Sequence, residues 1–180
     1  MHKVNSGKTI METESVRQHK SESRSSLGVS IVTVSDTRTL ENDQGGALIV
    51  ELLIHGGHQI IERRIVIDDA KVIQDCVREL LGDSSCHAVL LTGGTGLAKR
   101  DVTTEAVECL YDATIPGYGE LFRMLSYQEI GPASMLSRAS GGRVKGKILL
   151  TMPGSPAGVR LAMEKLILPE LSHMVHHAAK

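Results

Sequence analysis

Between Leu90 and Ala106 the chain reads LLTGGTGLAKRDVTTEA, an apolar run followed by Gly93, Gly94, Thr95 and Gly96, then Lys99, Arg100 and Asp101. Amides bare of side chains approach an anion closely, and a following helix N-terminus adds a favourable partial charge. A tight turn would explain a lone Gly-Gly. Four small residues beside two cations point further, to phosphate binding. Neither common phosphate loop fits. GxxxxGK[ST] fails because Lys99 stands between Ala98 and Arg100, and GxGxxG fails because Lys99 takes the place of its third glycine.

Two carboxylates belong to the same reading. Asp101 has the N-cap as its ordinary role, and Asp68, in RRIVIDD, could simply open the helix after its strand. Both fall at strand ends beside the glycine loop. Mg²⁺ takes one or two carboxylate oxygens and completes its octahedron with water and substrate phosphates. Without a cation, two carboxylates would repel a polyphosphate, so Asp68 and Asp101 predict a divalent metal.

The surrounding elements must bring these residues together. GVSIVTVS (28–35) is β-branched and reads as a buried strand, as do HAVLLT (87–92) and GKILLTMPG (146–154). HQIIERRIVIDD (58–69) is a further strand mixing apolar and charged residues. Helices are predicted over 45–57, with Leu48, Leu52 and Leu53 in register, and over 71–83, with Val72, Ile73, Cys76, Val77, Leu80 and Leu81 as a stripe. Others are predicted over 101–111, parts of 118–131, and 156–179. Alternating strand and helix with continuous apolar strands predicts an α/β fold: a doubly wound, mostly parallel sheet with helices on both faces. In such sheets ligands bind outside the carboxyl ends of the strands, near a switch in strand order. Ser35-Asp36, Asp68-Asp69, Thr92 to Gly96 and Met152 to Ser155 all follow a strand.

Composition removes other classes. The 180 residues suit one domain; Lys plus Arg number 20 against 21 Asp plus Glu, for a net charge of −1. No basic excess marks a nucleic-acid binder, and 2% aromatic residues offer no stacking platform. Residues 1–26 are polar and predict a mobile extension, leaving 27–180 as a single domain. No apolar run suits a membrane span or a signal peptide, so a cytoplasmic protein with no membrane partner is expected. Cys76 and Cys109 are expected on apolar helix faces. His87 reads as a packed histidine, and His173, His176 and His177 as a solvated terminal face, their helical spacing also being one that binds metal.

Five segments, TVSDTRTLENDQGG, RRIVIDD, LLTGGTGLAKRDVTTEAV, PGYGELFRMLSYQEIGPASMLSRASGG and MPGSPAGVRLAMEKLILPELSHM, closely resemble in order the MoaB/MogA molybdenum cofactor biosynthesis proteins, the fourth pointing to the MoaB branch. The resemblance runs from about Gly28 to about His173. It implies a doubly wound domain assembled as a homotrimer or hexamer, and adenylyl transfer from Mg-ATP to molybdopterin, with pyrophosphate released. Asp68 and Asp101 match the acidic positions tied to catalysis and Mg²⁺. Gly93, Gly94, Thr95 and Gly96 match the loop near the nucleotide phosphates. Ser137 matches a molybdopterin-contacting serine, and Gly154 and Ser155 a second substrate-side loop. Thr104, Ile67 and Gly45 depart from residues frequent in the family, while both acidic positions are kept. A guanidinium fork suits a substrate phosphate, which gives Arg138 a binding role beside the ordinary one of a surface ion pair. A molybdopterin carrier of little activity is the alternative to an enzyme.

Overall fold

The computed structural model describes residues 26–180; the extension expected over residues 1–26 lies, but for Ser26, outside the described residues. The order is β1 (Gly28–Val34), α1 (Gln44–His55), β2 (Gln59–Val66), α2 (Ala70–Gly82), β3 (Ala88–Thr92), α3 (Thr103–Glu108), β4 (Ala113–Thr114) and α4 (Pro116–Ile130). A 3-10 turn (Gly131–Leu136) leads to β5 (Gly141–Val144) and β6 (Lys147–Met152). α5 (Pro156–Ala162) then runs through a π turn (Met163–Ile167) into α6 (Leu168–Ala178). The π turn stands just ahead of Pro169, whose missing N–H disrupts regular helical bonding.

One six-stranded sheet has the order β2-β1-β3-β6-β5-β4. β2, β1, β3 and β6 are parallel, and the short β5 and β4 are antiparallel. The doubly wound α/β expectation holds. Strand alternation divides the core in two. Val29, Ile31, Leu90, Ile148 and Leu150 point toward α1, α4, α5 and α6, whereas Val32, Val34, Val89, Leu91 and Leu149 point toward α2 and α3. Phe122 is 1% exposed among the first set, a burial of about 1.5–3 kcal/mol. β1 continues through α1 to β2 on one side, while β3 lies on its other side, so the order switches between β1 and β3.

Two local expectations are corrected. The helix expected over 101–111 is only α3, because Asp101 and Val102 belong to the loop and the chain turns after Glu108. Cys109 is therefore exposed beyond the helix end rather than packed on its face; Cys76 is buried as expected. On α4, Phe122 is core and Leu125 packs against it, while Met124 between them is 53% exposed.

Candidate active site

The glycine loop leaves β3 at the switch between β1 and β3. Gly93 donates its N–H to the Met152 carbonyl at 3.2 Å, and Thr92 Oγ1 donates to the Pro153 carbonyl at 2.9 Å, fastening the loop to the end of β6. Gly93 and Gly94 have φ of +96° and +64°, left-handed values that favour glycine. A Cβ on Gly93 would overlap the Val34 carbonyl. On Gly94 it would overlap Thr103 Oγ1 and lie 2.9 Å from Asp68 Oδ2; on Gly96 it would lie 2.6 Å from Asp101 Oδ2. The two carboxylates press against two of the loop's glycines, so part of the reason for glycine here is the approach of Asp68 and Asp101 themselves.

Neither aspartate caps a helix. The N-cap of α2 is Asp69, whose carboxylate accepts from the Val72 N–H at 2.9 Å, and the N-cap position of α3 is Val102, which offers no side-chain cap. Asp68 Oδ1 instead accepts the Val102 N–H at 3.1 Å across the loop, while Asp101 Oδ2 accepts the Ala98 N–H at 2.9 Å. Each carboxylate keeps a second oxygen. Burial raises the Asp68 pKa above its ordinary value; the Val102 N–H opposes this, and the Asp101 and Asp36 charges add to the rise. Asp36, which follows β1 as Asp68 follows β2, accepts the Asp68 N–H at 3.1 Å. The sequence places it at the same sheet edge but gives it no role. Its signal was the repeated pattern of an acid just beyond a strand.

A cleft of about 420 Å³ opens in front of the loop. Gly93, Gly94, Thr95, Gly96 and Asp101 form one wall, Ser137 stands at another, and Gly154 and Ser155 close it from the end of β6. Ser155 caps α5 by accepting the Gly158 N–H at 3.2 Å. The far wall comes from α4 and the 3-10 turn, where Glu129 adds a carboxylate that sequence reasoning did not single out. Asp68 and Arg138 do not line this cleft. Asp68 lies behind Gly94. Arg138 lines a neighbouring hollow of about 580 Å³ that shares Ser137, where its guanidinium pairs with Glu105 and donates to the Asp101 carbonyl at 2.6 Å. The ion-pair role of Arg138 is thus present, directed at the backbone that carries Asp101.

The histidines take structural places. His87 Nδ1 accepts the Gly28 N–H at 2.9 Å, and the rings of His173 and His177 meet edge to face with centroids 4.6 Å apart. Among the described residues, no three His, Cys, Asp or Glu side chains are grouped to hold a metal ion. An Asp68–Asp101 cation would therefore take most of its ligands from water and phosphate, the manner usual for Mg²⁺.

Residues 30–173 match the family described as a probable molybdopterin binding domain. The chain belongs to this family, the MoaB/MogA molybdenum cofactor biosynthesis proteins. Molybdenum cofactor biosynthesis protein B of Bacillus cereus is 50% identical over 161 residues, 89% of this chain and 95% of its own. A crystal structure of a molybdenum cofactor biosynthesis protein B superposes with a TM-score of 0.83 at 51% identity, over 85% of this chain and 96% of that one. The tungsten cofactor synthesizing protein MoaB from Pyrococcus furiosus gives 0.79 at 32% identity, over 87% and 99%. Within the family, the loop, both aspartates and the Ser137 segment all fall inside the matched residues.

Proposed function

We propose that this chain, a member of a molybdenum cofactor biosynthesis family, adenylylates molybdopterin with Mg-ATP. A phosphate oxygen of molybdopterin attacks the α-phosphorus of ATP; the new P–O bond forms as the α–β bridging P–O bond breaks, and pyrophosphate leaves. No nucleophilic side chain is required. The difficulty is that like charges must meet, so alignment and charge neutralisation dominate. One arrangement carries the reading: a bare-amide loop with a carboxylate set against Gly94 and another against Gly96, facing a cleft at the β1/β3 switch.

Asp68 and Asp101 would hold Mg²⁺ through the oxygens not engaged by Val102 and Ala98, and the metal would supply charge neutralisation to the ATP phosphates. Burial first, and then the Asp101 and Asp36 charges, raise the Asp68 pKa, and a bound cation would offset both effects. The amides of Gly94, Thr95 and Gly96 would receive the departing pyrophosphate, with Gly93 anchoring the loop through its N–H to the Met152 carbonyl. Ser137, Gly154 and Ser155 would orient molybdopterin. Arg138 would act by fixing the Asp101 backbone, and its substrate-phosphate role rests on the shared boundary at Ser137.

A homotrimer or hexamer in the cytoplasm completes the reading. The exposed apolar residues of α4 support the assembly, and among the described residues no helix is long and apolar enough to cross a membrane. The experiment is direct. Protein supplied with molybdopterin, Mg²⁺ and ATP should release pyrophosphate, and Asp101→Asn should abolish release while molybdopterin still binds. Tight molybdopterin binding with no pyrophosphate from the intact protein would establish the carrier instead.

A further inference from the structure

The glycine-loop cleft has no basic side chain in its lining. Its only charged lining residues are Asp101 and Glu129, and both are acids. Two carboxylates cancel the charge of one Mg²⁺, so a cation held by Asp68 and Asp101 leaves the polyphosphate of a nucleotide largely uncompensated. Further positive charge has to come from the rim. Arg138 is engaged elsewhere, with Glu105 and the Asp101 carbonyl.

Lys99 and Arg100 stand at that rim. The chain leaves the cleft wall at Gly96 and returns to it at Asp101, whose Oδ2 lies 2.6 Å from where a Gly96 Cβ would be. Between them, the Asp101 N–H donates to the Ala98 carbonyl at 2.8 Å, closing a β-turn over 98–101 with Lys99 and Arg100 as its central residues. Asp101 Oδ2 accepts the Ala98 N–H at 2.9 Å and closes the same turn a second time. One aspartate thus serves the metal position and holds the backbone that carries two adjacent cations.

Both side chains are exposed, and among the described residues neither has a hydrogen-bond or ion-pair partner. The exposed Lys71, Arg78 and Arg160, by contrast, each pair with a carboxylate one helical turn away. Burial raises the Asp68 pKa, and the Arg100 charge is close enough to oppose that rise, so its field reaches the proposed metal position. The turn continues the glycine loop, whereas Ser137, Gly154 and Ser155 come from other walls, on the side given to molybdopterin. The two cations therefore flank the leaving-group end. A lysine ammonium meets phosphate as a point charge, and a guanidinium can grip two oxygens of one phosphate.

We propose that the Lys99-Arg100 turn is a clamp for the β- and γ-phosphates of the nucleotide, and so for the departing pyrophosphate, which rests on the adenylyl-transfer reading. The test uses the full chain without molybdopterin, so that no transfer intervenes, and calorimetric titration with Mg-ATP, Mg-pyrophosphate and AMP. Lys99→Gln with Arg100→Gln removes both charges from exposed positions and leaves the backbone bonds of the turn in place, so thermal unfolding should be unchanged. The double variant should bind ATP and pyrophosphate about tenfold or more weakly, and AMP as the natural chain does. Equal weakening for all three ligands, unchanged binding of ATP and pyrophosphate, or no pyrophosphate binding by the natural chain would overturn the clamp. Pyrophosphate binding that depends on the two cations, in a chain that transfers no adenylyl group to molybdopterin, would uphold the clamp and overturn the transfer reading instead.

Discussion

Asp68 shows how one residue can serve a site at the expense of the fold. Burial, with Asp101 and Asp36 nearby, raises its pKa, so the folded chain binds the proton more tightly than the unfolded chain does. Stability then falls as pH rises from the ordinary value of 3.8 through the raised folded value, and the deficit persists at neutral pH. Asp68→Asn keeps an acceptor for Val102 and removes the charge. The variant should melt about 1–3 °C higher at pH 7, with the gain vanishing in acid, when followed by scanning calorimetry. Mg²⁺ should raise the melting temperature of the natural chain more than that of the variant. Gly94→Ala should act the other way. Its Cβ would strike Thr103 Oγ1 from a left-handed backbone, and a loss of about 2 kcal/mol or more in denaturant unfolding is expected.

Element ends depend on a separate buried network. Asp43, 4% exposed, caps α1 through the Gly46 N–H at 2.9 Å and also accepts from Thr33 Oγ1 at 2.6 Å and Arg63 Nη2 at 2.9 Å. It thereby ties α1 to β1 and β2. Burial pushes its pKa up, and the bonds from Thr33, Arg63 and Gly46, with the Arg63 charge, more than reverse this to leave it lowered. Its stabilisation is present above the ordinary value of 3.8 and is lost as pH falls through the lowered folded value. Asp43→Ala should cost about 2–4 kcal/mol at pH 7, and the difference from the natural chain should narrow in acid unfolding curves.

Elements also differ in how far the chain reveals them. The stripe from Ile73 to Leu81 specifies α2, and the uninterrupted run Ala88–Thr92 specifies β3, because both must bury what they carry. β4 and β5 are brief, at two and four residues, and Gly141-Gly142 offers little β-propensity. They are held by the pairing of β4 with β5 and of β5 with β6, and by Tyr111 packing on Gly142, contacts that no local pattern announces. At the site, the glycine loop and both acids are legible from residue type and from their positions after strands. That Asp68 sits behind the loop, and that Arg138 grips the Asp101 carbonyl, follows from tertiary packing and leaves no local pattern.

At the scale of the whole molecule, Leu121, Met124, Tyr127 and Ile130 form an exposed row on α4, continued by Met135 and Leu136 on the 3-10 turn. Met135 is 72% exposed, and an exposed apolar row of this kind fits the proposed assembly surface. Light scattering should give the mass of a trimer or hexamer for the natural chain and a smaller mass for Met124→Lys with Leu121→Glu, while circular dichroism stays unchanged. A monomeric natural chain would contradict the assembly. The cleft beside this row is where the central claim is decided. With ATP labelled at the α-phosphate, molybdopterin and Mg²⁺, the label should appear on molybdopterin in equal amount to the pyrophosphate released, and with Asp101→Asn neither labelled molybdopterin nor pyrophosphate should form. Label remaining wholly in ATP while molybdopterin is bound would contradict adenylyl transfer by this chain.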